Sequence, residues 1–375
     1  MTDVHTMAKS PFRADHVGSF LRPQILQDAK RQYQEGNVSK AELRAIEDAE
    51  ITKLVEKQKS VGLTAVTDGE FRREFWHLDF IQSLEGIRVY DVEASGRFQG
   101  LMKKLTVFTI DGTLKFPKTH PFIEDFKYLN SIAGEHIAKL TIPGPNMIFH
   151  SEVINNDTYL KNPSLSTLDA AAENIINVYQ ETIQALYDAG CRYLQLDDPS
   201  WGALFSDDFR EDIQKTGFDP DELIQKFADL TIKVVENKPA DMVITLHVCR
   251  GNYKSTWMYQ GGYEPVAEQL FSRVNVDAFF LEFDSERAGD FSPLRFVKDQ
   301  KVVLGLITTK TPELEDKEII KQRIEEATKY VDLNQLCISP QCGFASAAIG
   351  NNITEQDQWD KLELVVDIAD EVWNA

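Results

Sequence analysis

The chain has 375 residues, 42% of them hydrophobic and 27% charged, a composition that excludes disordered and collagen-like classes. Its 60 acidic residues against 40 basic ones give a net charge of −20, which repels phosphate backbones and anionic lipids and so argues against nucleic-acid and membrane partners. No apolar run reaches the roughly 18 residues of a membrane span, MTDVHTMAKSPF lacks a signal peptide's apolar stretch, and four cysteines make no disulfide framework; a cytoplasmic protein with reduced thiols is expected.

Eight short apolar or β-branched runs recur along the chain, most of them followed by a segment of helical periodicity. The first is Ala14–Gly18. A helix over Val38–Ser60 opens with the capping-box signature Ser39-x-x-Glu42 and leads to the second run, Ala65–Asp68. The interval from about Gln82 to Ile132 breaks the pattern. Alternation around Asp111-Gly112 predicts a β-hairpin, read as an insertion in the second βα loop that covers part of the barrel mouth.

The third run is His136–Pro143, and the helix Leu168–Ala189 ends at Gly190. Tyr193–Asp197, Met242–Val248, Ala278–Phe283, Val302–Ile307 and Leu336–Pro340 complete the runs. Helical stretches at Asp219–Asn237, Tyr263–Phe271, Glu313–Tyr330 and Thr354–Trp373 lie between or after them. Runs apolar on both faces and alternating with helices indicate a parallel sheet buried on both sides. Eight such units predict an α/β fold, a closed (β/α)8 TIM barrel in a single domain over 1–375, which typically needs roughly 250 residues. No G-x-G-x-x-G follows the first run, so the dinucleotide-binding alternative lacks its phosphate loop.

Chemistry in such a barrel collects at the C-terminal strand ends. His247 and Cys249 end the fifth run and share a face, because side-chain direction alternates with period two. Glu282 ends the sixth run and Cys342 follows the eighth, so the closed barrel would let the four complete a tetrahedron suited to Zn²⁺. His-x-Cys by itself is a weak signal, since free cysteines are often plain core; Cys191 and Cys337 are read that way. A Cys–His nucleophile pair fits the same residues.

Glu70 and Asp197 also end apolar runs, where burial without a cation is costly, so the ammonium group of an amino acid is a sensible ligand. Ser19, with the backbone of Val17 and Gly18, offers donors for a carboxylate; a turn role explains Ser19 equally well.

Taken in order, HVGSF, TDGE, TIPGP, QLDDP, HVCRGN, FFLEFD and SPQCGF resemble the catalytic C-terminal barrel of cobalamin-independent methionine synthase, over nearly the whole chain. The resemblance implies one catalytic zinc on His247, Cys249, Glu282 and Cys342. It also implies a homocysteine site made by Val17, Gly18 and Ser19 with Glu70 and Asp197. Two departures stand out. The full-length family enzyme carries an N-terminal barrel that helps bind its folate methyl donor, and 375 residues leave no room for it. The family also places a proton-delivering histidine after the seventh strand, where this chain reads Ile307-Thr308-Thr309-Lys310, with Thr308 at about that position.

The implied chemistry is transfer of a methyl group, from a donor such as 5-methyltetrahydrofolate, to the thiol of homocysteine, forming methionine. Coordination would deprotonate a thiol whose ordinary pKa is about 8.5. Glu282, the hardest donor, is the ligand expected to yield to it. A zinc-thiolate alkyltransferase acting on another thiol or electrophile, a non-catalytic ligand-binding barrel and a metal-independent barrel enzyme are the alternatives. The last leaves Cys249 and Cys342 unexplained.

Overall fold

The structure, a computed structural model, describes residues 11–93, 104–154 and 167–374. Its centre is a seven-stranded parallel sheet in the order β1 (Ala65–Val66), β4 (Ile137–Pro143), β5 (Tyr193–Asp197), β6 (Val243–Val248), β7 (Ala278–Glu282), β8 (Lys301–Ile307) and β9 (Leu336–Pro340). A separate antiparallel pair is formed by β2 (Glu85–Glu93) and β3 (Lys104–Lys115). Helices at Lys40–Ser60, Leu168–Asp188, Pro220–Val235, Glu264–Arg273, Lys317–Ala327 and Glu355–Trp373 alternate with the parallel strands. The Ser39/Glu42 capping box forms as expected, and Thr354 with Asp357 makes a second one before the last helix.

The first predicted strand is present as an extended segment with a single bridge. Ala14 bridges Ile338 of β9 in parallel, Asp15 N donates to Ile338 O at 3.0 Å, and Ile338 N donates to Arg13 O at 2.9 Å. On the other side Phe20 N reaches Gly69 O at 3.1 Å, just past β1. Side chains complete what a full ladder would otherwise supply. Thr67 Oγ1 donates to Gly18 O at 2.6 Å, Gln195 Nε2 to Val17 O at 2.8 Å, and Lys139 Nζ to His16 O at 2.5 Å. The segment therefore fills the gap between β9 and β1, curling the sheet into the TIM-barrel-like fold that the run count predicts.

Alternation along the strands sorts the side chains. Leu194, Leu196, Ile244, Leu246, Phe279, Leu281 and Leu304 belong to the main core shared with the helices. Val17, Phe280, Val303 and Cys337 form a small cluster of their own inside the sheet. Cys337 and Cys191 are fully buried, as read from the sequence.

The hairpin differs from expectation in two ways. Asp111-Gly112 lies within β3, opposite a register shift at Gly86, and the link between β2 and β3 falls outside the described residues. Asp-Gly supplies backbone freedom that a bulge uses as readily as a turn. Gly86 sits at φ +83, and a Cβ there would meet Thr113 O at 2.5 Å. The hairpin also packs sideways: Leu114 N donates to Asn174 Oδ1 at 3.0 Å and Phe116 N to Glu181 Oε2 at 3.1 Å, both acceptors on the helix Leu168–Asp188. None of its described residues lines the cavity at the barrel mouth. The helix Pro121–Ala133, inside the interval read as insertion, is an ordinary barrel helix packed on β4 and capped by His120. No helix among the described residues is long and apolar enough to cross a membrane.

Candidate metal centre and substrate cavity

Ligand atoms of His247, Cys249, Glu282 and Cys342 all lie within 4.8 Å of one another, and all four residues are buried. His247 lies on β6, Glu282 ends β7, and Cys249 and Cys342 sit just beyond β6 and β9. The Cys249 and Cys342 sulfurs are 3.5 Å apart. Two sulfurs bound at about 2.3 Å to one tetrahedral ion stand about 3.8 Å from each other, so the separation suits a shared ion. Neither ring nitrogen of His247 has a hydrogen-bond partner although the residue is buried. An imidazole left this way is costly unless something coordinates it.

The protonation pattern points the same way. Burial works against the charged form of His247, yet the Cys342 sulfur, Asp197 and Glu282 outweigh it and lift the pKa to about 9. The hydrogen bond from Cys249, together with His247, holds the Cys342 thiol well below its usual range. Sharing with Cys342, reinforced by burial, pushes Cys249 well above that range. Burial, then the Cys342 sulfur, raises Glu282. Two sulfurs and a carboxylate crowded out of water compete for too few protons, and a divalent cation relieves that competition.

The shell behind the four is ordered. Arg250 N donates to Glu282 Oε1 at 3.0 Å, and Arg287 Nη2 stands 3.3 Å from Glu282 Oε2. Gly251 N donates to Cys249 Sγ at 3.3 Å. Lys310 Nζ donates to Asn252 Oδ1 at 3.0 Å and Thr256 O at 3.2 Å, while Asn252 Nδ2 donates to Gly343 O at 2.7 Å. The loops carrying the two cysteines are thereby tied together. Thr308 is tied to Glu315 through its N–H at 2.7 Å and does not line the cavity.

A small cleft opens onto His247, Cys249 and Cys342, and its other walls include Val17, Ser19, Glu70 and Asp197. The structure thus gathers the sequence-predicted residues in one place, with two positions outside the cleft lining. Glu282 joins the cluster without lining the cleft, and Gly18 sits in the turn at φ +135, where a Cβ would come within 2.6 Å of Thr141 Cγ2.

Glu70 has a left-handed backbone, φ 61, which is strained for a side chain of this size. The strain is held by Asp68 Oδ1 accepting from Glu70 N at 2.9 Å and by Arg22 Nη2 donating to Glu70 O at 2.8 Å. Its Oε1 takes Thr141 Oγ1 at 2.8 Å and Arg73 Nη1 at 3.3 Å, whereas Oε2 is buried without a partner. Burial raises the Glu70 pKa against the pull of Arg73 and Arg22. Burial likewise lifts Asp197 to about 7, against His247.

Trp76, Asn252 and Ser346 also line the cleft, Arg73 holds its Glu70 carboxylate, and Arg287 holds Glu282 in the adjoining cluster. Asn252 stands in the HVCRGN piece and was within reach of sequence reading. Trp76, Ser346 and Arg287 come from loops past the strand ends, where no period or spacing marks them.

A family model described as cobalamin-independent synthase, catalytic domain, matches residues 12–371. The chain is 46% identical over 367 residues to the Bacillus subtilis protein YxjG, covering 97% of this chain and 96% of that one. It is also 46% identical to a candidate vitamin-B12-independent methionine synthase of Listeria monocytogenes whose crystal structure superposes with a TM-score of 0.77, over 97% and 98% of the two chains. A methionine synthase of Sulfolobus acidocaldarius is 24% identical over 331 residues, 87% of this chain and 84% of that one.

Proposed function

The chain belongs to the cobalamin-independent synthase catalytic-domain family, and from that premise we propose that it is a zinc-dependent methyltransferase acting on the thiol of homocysteine. One observation carries the reading: a His-Cys-Glu-Cys cluster within 4.8 Å adjoins the same cleft as the two buried carboxyls of Glu70 and Asp197. His247, Cys249, Glu282 and Cys342 would hold the ion, and its charge would keep a substrate thiol deprotonated near neutral pH.

The chain's own groups account for binding and aim. Glu70 Oε2, which lacks a partner, and Asp197 receive an α-ammonium group. An arriving cation favours the charged form of both carboxyls and repays their burial. The carbonyls of Val17, Gly18 and Ser19 are engaged by Gln195, Thr67 and Phe344, so this turn offers its N–H groups and the Ser19 hydroxyl to an α-carboxylate. Two anchors at one end of a short amino acid fix where its sulfur lies, which lowers the entropic part of the barrier. The buried wall keeps water from competing for the methyl group.

The methyl donor is a small molecule with an activated methyl group, 5-methyltetrahydrofolate being the family's. Thr308, held by Glu315 outside the cleft, leaves no acid at the family's histidine position. That favours, as a second reading, a donor whose leaving group needs no proton.

Metal analysis of the purified protein, followed by methionine formation from homocysteine with 5-methyltetrahydrofolate and with other methyl donors, tests both readings. One zinc per chain and zinc-dependent methionine formation are expected. Full activity in metal-free protein would remove the proposal.

A further inference from the structure

Glu282 is fully buried, and the cleft opens onto the other three cluster residues and not onto it. An entering sulfur therefore approaches along the face formed by the other three residues. If that sulfur takes Glu282's place on the ion, a buried anion is left behind, and without a counter-ion the exchange is strongly unfavourable.

Arg287 is placed to be that counter-ion. Its Nη1 donates to Ser285 Oγ at 2.9 Å, and its Nη2 reaches Asp284 Oδ1 at 2.8 Å and Glu282 Oε2 at 3.3 Å. Its Nε is buried with no partner. Nε and Nη2 form one edge of the guanidinium, the edge that takes a carboxylate with two parallel hydrogen bonds. The 3.3 Å contact to Glu282 is long for such a bond, and half of the edge is unused. The guanidinium carbon lies 5.0 Å from the Trp257 ring centroid, a cation–π contact.

We propose that Arg287 takes over the Glu282 carboxylate when a substrate sulfur displaces it, and so sets how readily the site exchanges its carboxylate for a thiol. This rests on the zinc-thiol reading above. Arg287 acts through Glu282 and is a positioning residue. Before exchange the ion also balances Glu282, whereas afterwards the carboxylate is left with Arg287, which it shares with Asp284, the Arg250 N–H and the more distant charge of Lys310. Removing the guanidinium must then weaken thiol binding more than it weakens resting metal binding.

The test uses full-length wild type, Arg287→Gln and Arg287→Lys, each with a thermal melt to establish folding. Zinc affinity is read by competition with a chromophoric chelator, and L-homocysteine affinity by calorimetry. Sulfur coordination is read from the zinc X-ray absorption edge with and without homocysteine. In Arg287→Gln, homocysteine affinity falls about tenfold further than zinc affinity does, within the 10–100-fold range for partners of metal ligands. Its sulfur count rises only at correspondingly higher thiol, and Arg287→Lys recovers part of the loss. Equal losses in both affinities, or homocysteine binding as in wild type, overturn the proposal; should Arg287→Gln not fold, a homocysteine affinity in Arg287→Lys equal to wild type overturns it. A wild-type protein that binds no zinc, or whose edge ignores homocysteine, instead overturns the functional reading beneath it.

Discussion

Cys249 and Cys342 stand 93 positions apart in the chain and 3.5 Å apart at their sulfurs. Nothing local brings them together; the closing of β6 and β9 into one curled sheet does. The first prediction concerns this pair. Cys342→Ser removes one soft ligand and leaves a hard hydroxyl, so bound zinc should drop well below one equivalent under mild chelation. Thiol methylation should fall with it, and elemental analysis beside an activity assay checks both.

Glu70 is a buried carboxyl with one oxygen engaged and one without a partner. Glu70→Gln keeps the shape and removes the charge that an α-ammonium group would meet. Loss of a charged hydrogen bond of about 1.5–3 kcal/mol should raise the KM for homocysteine about 10–100-fold. Zinc content should stay at the wild-type level, which separates this variant from those of the metal cluster.

Gly343 faces Ser19 so closely that a Cβ would collide with the Ser19 hydroxyl. Gly18 is confined by its φ of +135 and by Thr141. Gly18→Ala should therefore cost roughly 1–3 kcal/mol from backbone strain alone, read as a lower midpoint in urea. Gly343→Ala should displace Ser19 and weaken homocysteine binding while leaving most of the fold's stability intact.

His120 caps the helix Pro121–Ala133, its Nδ1 accepting from Phe122 N at 3.3 Å, and burial lowers its pKa from 6.5 to about 4. Between those values the unfolded chain binds the proton and the folded protein does not. Its contribution is thus fully present above pH 6.5 and is lost as pH falls toward 4, on the order of 3 kcal/mol in all. His120→Asn keeps a capping acceptor and removes the titration. The stability difference between wild type and this variant should shrink or reverse as pH drops through that window in denaturant melts, and a pH-independent difference would refute the assignment.

Much of the fold was legible because barrel strands and helices are set by local pattern. Tyr193–Asp197 and Leu336–Pro340 form strands with the predicted bounds, and Ser39 and Glu42 cap the helix they were read to cap. Asp111-Gly112 shows the limit of the same reasoning. The dipeptide permits a turn, but pairing with β2 keeps it within β3, and the left-handed glycine at the register shift is Gly86. Likewise Ala14–Gly18 has a strand's composition, but its neighbours satisfy it through Lys139, Thr67 and Gln195 side chains, a long-range arrangement no window of sequence contains.

For the site, period two put His247 and Cys249 on one face, and strand-end position marked Glu70, Asp197, Glu282 and Cys342. The sequence by itself thus determined which residues stand at the strand ends and which of them share a face, because residue direction along a strand depends on neighbours one and two positions away. The tertiary structure alone decided that Glu282 does not line the cleft, that Arg287 pairs with it, and that the described residues of the hairpin bond to the helix Leu168–Asp188 and line no part of the cleft. Those outcomes depend on how separate strands and loops pack in three dimensions, and burial, charge pairing and close contact between distant residues have no counterpart in linear order.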